Sequence, residues 1–187
     1  MTVSTLKRLF TIEEYYQMGR SGIFTEDDHV ELIEGEIVQM TPIGNPHAGC
    51  VRWLNRFFHR LLDDRFIIDA QNPLRLSVYS EPQPDVVLLK PTPDCYRSAH
   101  PVPDDVFLLI EVADSSLGYD KNVKIPLYAK HRIVECWLVN IQDNNIEVYR
   151  QPSENSYRQI RIMTPDQTIS PQAFPDISLR AGDILGI

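Results

Sequence analysis

The chain has 187 residues, 43% of them hydrophobic, with 14 prolines and 8 glycines scattered along it. That length supports one well-buried core and is short for two, and no linker, repeat or low-complexity tract divides it, so one domain over 1–187 is expected. The formal charge of −8 argues against a general polyanion binder, because duplex affinity comes from Lys and Arg on phosphates; a local basic patch remains compatible with it. The longest apolar runs, such as Val106–Ile110, are of strand length, which argues against a membrane span.

Thr11-Ile-Glu-Glu14 has the form of a capping box, with Phe10 and Tyr15 placed as a hydrophobic staple. A short helix over 11–19, stopped by Gly19 or Gly22, follows from it. His29–Ile33 and Glu36–Met40 flank Glu34-Gly35 and read as a β-hairpin. Between Pro46 and Asp63, Val51, Leu54, Phe57, Phe58, Leu61 and Leu62 recur at three- and four-residue spacing, the pattern of an amphipathic helix.

Strands are expected at Phe66–Ala70, Leu74–Val78, Asp85–Leu89 and Val106–Val112. A second long helix is expected from Asp120, as N-cap, to Lys130, bent at Pro126. Glu135–Ile141 and Ile146–Arg150 flank Asp143-Asn144-Asn145 as another hairpin, and Tyr157–Met163 reads as a further strand. The order gives a mixed α/β domain (α+β in character), a central sheet covered by helices.

Asp85 and Glu111 each adjoin a strongly apolar strand. A carboxylate there is costly to desolvate unless a cation meets it. Two such acids, with Lys124 soon after, suggest a divalent metal and an anionic substrate. Glu111 follows five consecutive hydrophobes and needs a partner if it points inward. No Gly-rich phosphate loop is present. Ser115 and Ser116 lack the signature of a serine nucleophile. Cys50, Cys95 and Cys136 form no Cys-x-x-Cys pair, and Met1–Arg8 lacks the apolar core of a signal peptide; a reduced, cytoplasmic setting is expected.

Glu31-Leu-Ile-Glu-Gly-Glu-Ile-Val38, Gln83-Pro-Asp-Val-Val87, Leu109–Leu117, Tyr119–Lys124, Ile125–Ala129 and Glu135–Asn140, in this order, resemble the Uma-two family of endonucleases within the PD-(D/E)XK superfamily. The resemblance runs from Phe10 to Leu185. It implies a restriction endonuclease-like fold, a central mixed sheet flanked by helices. It further implies that Asp85, Glu111 and the backbone carbonyl of Val112 hold Mg²⁺, or Mn²⁺ in its place, which polarises the scissile phosphate and activates a water.

The lysine usual two residues after the Glu is replaced here by Ala113. The resemblance supplies it from the following helix as Lys124, with Lys121 a weaker candidate. Glu31 matches an acid of the family's first hairpin and completes the catalytic set of Asp85, Glu111, Lys124 and Glu31; Glu34 is less suited. Arg132 and Val134 stand where relatives tend to have Gly and Pro, so the turn before Glu135 is expected to differ.

Read singly, His47 is a helix-start hydrogen-bonding residue, with a substrate contact the lesser alternative; Tyr128 packs under the site, and Trp53 and Trp137 are core residues. The leading expectation is a Mg²⁺-dependent endonuclease acting on DNA, with a homodimer compatible. Its rivals are a non-catalytic nucleic-acid- or protein-binding module of the same fold and a phosphodiesterase for small nucleotides. No separate DNA-reading motif is present, so any specificity would come from a partner or from loops of this domain, with Ile43–His47 and Pro91–Pro103 as candidates.

Overall fold

The computed structural model describes residues 6–25, 27–40, 42–61 and 64–187. The expected staple, helices and hairpins fall within them, except that Leu62 and Asp63 at the end of the second helix, and the stretch before Leu6, lie outside the described residues.

Helix α1 (Ile12–Arg20) begins at the capping box: the Glu14 N–H donates to the Thr11 hydroxyl, and the Thr11 N–H donates to the Glu14 carboxylate. Strands β1 (Val30–Ile33) and β2 (Glu36–Gln39) form the first hairpin. Its turn holds Glu34 at φ 48° and Gly35 at φ 81°, the left-handed pair that a two-residue hairpin needs. A Cβ on Gly35 would stand 2.6 Å from that of Leu9.

Helix α2 (Asn45–Leu61) buries Cys50, Val51, Leu54 and Phe58. A six-stranded sheet then takes shape from β3 (Ile67–Asp69), β4 (Val86–Leu89), β5 (Val106–Ala113), β6 (Glu135–Asn140), β7 (Asn145–Pro152) and β8 (Tyr157–Met163), in that spatial order. All neighbours are antiparallel except β5 and β6. A parallel pair needs a crossover, and residues 117–130 supply a helical one.

The sheet has an apolar layer on each face. α2 and a final helix, α5 (Ala181–Leu185), cover one, against Leu108, Ile110, Val112 and the fully buried Trp137. The first hairpin and the crossover cover the other, against Leu109, Ala113 and Leu138. Strand alternation makes this division from Leu108 to Ala113: even-numbered residues face α2, odd-numbered ones face the crossover, and a register shift at Leu88–Leu89 reverses the order for Val106 and Phe107.

The crossover departs from expectation. It starts earlier, with α3 (Leu117–Tyr119) capped at Ser116, so Asp120 is not the N-cap but lies inside. A π-turn (Asp120–Lys124) follows, and then α4 (Ile125–Lys130). The Ile125 N–H donates to the carbonyl of Asp120, five residues back, immediately before Pro126, which has no N–H to give.

Leu74–Val78 is also not a ladder strand. The segment opposite it contains Pro82 and Pro84, which cannot donate. It is held instead by the Leu74 and Leu76 N–H groups on the carbonyls of Pro82 and Ser80. Trp53 is only half-buried; its Nε1–H donates to the Asp183 carbonyl at 2.8 Å. The last segment, β9 (Thr168–Ile169), β10 (Leu179–Arg180) and α5 (Ala181–Leu185), carried no sequence signal and closes the α2 face.

The turn after α4 holds Arg132. The N–H groups of Arg132 and Ile133 donate to the carbonyls of Ala129 and Tyr128, a Schellman cap. Arg132 takes the left-handed position at φ 63°, which glycine occupies without a Cβ penalty. The substitution Arg132→Gly is expected to raise stability by roughly 1 kcal/mol, the left-handed strain it relieves less glycine's entropic cost, read as a shifted urea midpoint at unchanged slope.

Candidate functional site

The site forms where β4 begins beside the C-terminal end of β5. Val86 pairs with Ile110, and continuing that register sets Asp85 beside Glu111 and Pro84 opposite Val112. The Asp85 N–H donates to Glu111 Oε2 at 3.3 Å, and the Val112 N–H donates to Asp85 Oδ2 at 2.9 Å. The carbonyl of Ala113 turns the other way, accepting from the Ile141 N–H. Carbonyls alternate along a strand, so that of Val112 lies on the Asp85 edge. Pro84 has no N–H to offer it. Proline before the aspartate therefore ends the ladder and offers the Val112 carbonyl no donor, on the edge where the two carboxylates lie.

Glu111 lies on the crossover face with Leu109 and Ala113 and is 2% exposed. Its Oε1 accepts from the hydroxyl of Tyr128 and stands 3.3 Å from Lys124 Nζ. The same ammonium donates to Glu31 Oε1 at 3.3 Å. That oxygen also accepts from the Gln83 N–H at 2.7 Å, while Glu31 Oε2 is buried with no partner among the described residues. The structure thus brings Asp85, Glu111, Val112, Lys124 and Glu31 together from four segments.

Lys121 goes elsewhere, pairing with Glu147 at 2.5 Å, and Glu34 pairs with Lys130 at the surface. Ala113 is fully buried at the position of the missing lysine, and the crossover packs over it. Tyr128 is buried beneath the site and is also bonded to it.

Three further residues escaped the sequence. His47 does not cap its helix; Nε2 lies 3.0 Å from Asp85 Oδ2, and Nδ1 is buried without a partner among the described residues. Asp120 is buried with Oδ2 accepting from the Ser116 hydroxyl at 2.6 Å. The Tyr119 hydroxyl is buried and unpartnered among the described residues. The Tyr119-Asp120 dipeptide before Lys124 was the available signal for the last two. Nothing near His47 foretold its long-range contact. The loop 91–103 makes no described hydrogen bond to these residues, whereas the start of α2 delivers His47 to Asp85.

The electrostatics follow from burial. Desolvation pushes the Asp85 carboxyl up, but His47, the Val112 N–H and Lys124 outweigh it and hold it below the usual value. Desolvation pushes Glu111 well above the usual value, and the Lys124 charge only partly offsets this. Asp120 is likewise raised by burial. Burial would lower Lys124, but Glu111, Glu31, Asp85 and Asp120 reverse the effect and raise it. His47 is raised by its bond to Asp85. Lys124 is accordingly a fixed cation, unable to accept a proton near neutrality.

Among the described residues no three His, Cys, Asp or Glu side chains are grouped to grip an ion unaided. The donor set still fits a small hard cation that keeps several waters. It offers hard oxygens from two carboxylates and a backbone carbonyl, and the orphaned Glu31 Oε2 lies in the same cluster.

An antiparallel–parallel sheet junction carrying Pro-Asp on one strand and Glu on the next, with helices on both faces, defines a nuclease-like α/β fold. The chain belongs to the Uma2 family, whose model, described as "Putative restriction endonuclease", matches residues 12–182. It is similar in structure to a protein from Anabaena variabilis, described as "a putative nuclease belonging to DUF820", at TM-score 0.67 and 17% identity, over 95% of this chain and 98% of that one. No curated protein matches the chain significantly. Among the described residues no helix is long and apolar enough to cross a membrane.

Replacing Lys124 by Met would leave two buried carboxylates without their cation, a change that costs roughly 3–5 kcal/mol when a buried pair is broken. Glu111 already holds its proton more tightly folded than unfolded, and the variant would hold it more tightly still. The loss should therefore be largest at neutral pH and shrink as pH falls through the carboxylate range. Urea unfolding of both proteins at pH 7 and pH 5 checks this.

Proposed function

We propose that this protein is a divalent-metal-dependent endonuclease that hydrolyses phosphodiester bonds in DNA. The observation that carries the reading is a charge imbalance. Four buried carboxyl groups, Glu31, Asp85, Glu111 and Asp120, act on the single buried ammonium of Lys124. Among the described residues only His47 adds a further group in contact with them that can carry positive charge. An excess of buried carboxyl groups is relieved by a shift toward the protonated form, the direction Glu111 and Asp120 take, or by another cation. Asp85, Glu111 and the Val112 carbonyl would hold Mg²⁺ or Mn²⁺. The bound ion would supply Lewis acidity toward the phosphate and lower the pKa of a coordinated water.

The residues have separable roles. Lys124 stays protonated, so it is an electrostatic group rather than a base, oriented by Glu31 and Glu111 toward charge developing on the phosphate. Tyr128 holds Glu111 in place through its hydroxyl. Replacing Asp85 or Glu111 by Ala should abolish metal-dependent cleavage of supercoiled plasmid and calorimetric Mn²⁺ binding, with a folded circular-dichroism spectrum retained. Cleavage unchanged in both variants would sink the assignment.

A polymeric substrate is favoured over a small nucleotide by α2. Arg52, Arg56 and Arg60 are exposed on its outer face, one every four residues or about 6 Å. None is in an ion pair among the described residues. Like charges at this spacing repel one another unless an anion lies along them. They give an acidic chain a local strip for phosphates. Replacing all three by Gln should weaken duplex binding and lower the slope of log K against log salt by about one for each phosphate no longer neutralised, read by fluorescence anisotropy. An unchanged slope would remove the strip from the interface.

A further inference from the structure

His47 reaches the site from a different layer than every other residue in it. Its helix packs on the face of the sheet opposite the crossover, yet its first turn overhangs the start of β4. There the Asp85 carboxylate is bonded unevenly. Oδ2 receives two donors, the Val112 N–H at 2.9 Å and His47 Nε2 at 3.0 Å. Among the described residues Oδ1 has only the amide of Gln71, at 3.4 Å. An oxygen with two good donors has its accepting directions filled, so Oδ1 is the one left for a further partner.

The ring is committed to this contact. His47 Nδ1 is buried and bonded to nothing among the described residues, so Asp85 is the described partner through which the imidazole acts. The His47 side chain is 15% exposed and that of Asp85 12%, so the bond is largely shielded from competing water. The Val112 N–H is fixed by the sheet, but one donor allows the carboxylate to swing about it. The second donor, set at an angle by a separate helix, removes that freedom.

We infer that His47 is a positioning residue for Asp85: with the Val112 N–H it pins Oδ2 and presents Oδ1 to a divalent cation. This rests on the metal reading given above and assigns the residue that makes the Asp85 ligand rigid. Partners that orient a metal ligand in this way typically contribute 10–100-fold to affinity. The role needs a donor at the Nε2 position, not an imidazole as such. The side chain of Gln can place an N–H there; that of Asn is too short.

The test is calorimetric titration of the full chain with Mn²⁺ at one pH, for the wild type and for His47→Leu, His47→Asn and His47→Gln, with the melting temperature of each metal-free protein measured alongside. The expected result is 10–100-fold weaker binding in the Leu and Asn variants and recovery of most of the affinity in Gln, at unchanged stoichiometry. Two results would overturn the inference: wild-type affinity in the Leu or Asn variant, with only the melting temperature altered, or a Gln variant as weak as Asn. The polar Asn and Gln variants keep the comparison available if Leu does not fold. A wild-type protein that binds no Mn²⁺ would instead overturn the metal reading itself, and the inference with it.

Discussion

The ammonium of Lys124 is the interaction on which the site depends. It lies 3.3 Å from both Glu31 and Glu111, joining the first hairpin, the central strand and the crossover helix. Each of those carboxylates would be costly in the core alone, and Glu111 is already held well above its usual pKa by burial. The lysine is costly there too, and only the surrounding acids keep it charged. None of the three elements can take up its position without the others, so the site and the packing of that face are one problem. Such a network is weak evidence for stability and better evidence for function.

Much of this was legible in the sequence because it rests on local rules. The capping box at Thr11, the Glu34-Gly35 turn and the apolar run of the strand from Val106 are each decided within a few residues. Asp85, Glu111, Lys124 and Glu31 were legible for a different reason: charged residues in an apolar setting demand partners, and the ordered pattern resembled a known family. The structure supplies their proximity, which the spacing alone did not contain.

What escaped depends on contacts distant in sequence. His47 meets Asp85 across 38 residues, and a histidine at a helix start has an ordinary local explanation that hides the distant one. Leu74–Val78 looked like a strand from its apolar alternation, but the prolines opposite it cannot donate to a ladder. Trp53 read as core because tryptophan usually is, whereas its indole N–H ties α2 to the segment that ends the chain. The short β9, β10 and α5 have too few residues to show any period.

The misplaced helix start is the most instructive of these, because its cause is also what aligns the site. Asp120, Lys124 and Tyr128 are four residues apart, and all three are buried toward Glu111 and its neighbours. On a regular α-helix, four residues overshoot a full turn by about 40°, so the first and third of the set would diverge by about 80°. The π-turn over Asp120–Lys124 is wider and advances less per residue, which takes back part of that drift. Pro126, with no N–H to give, already breaks the regular ladder at that point, so the irregularity adds little cost where it falls. A cap at Asp120 presupposes a regular helix beginning there. The irregular turn instead lets one short crossover carry a carboxyl group, an ammonium and a phenol on one line. It can then supply from a helix the cation that the strand lacks at Ala113.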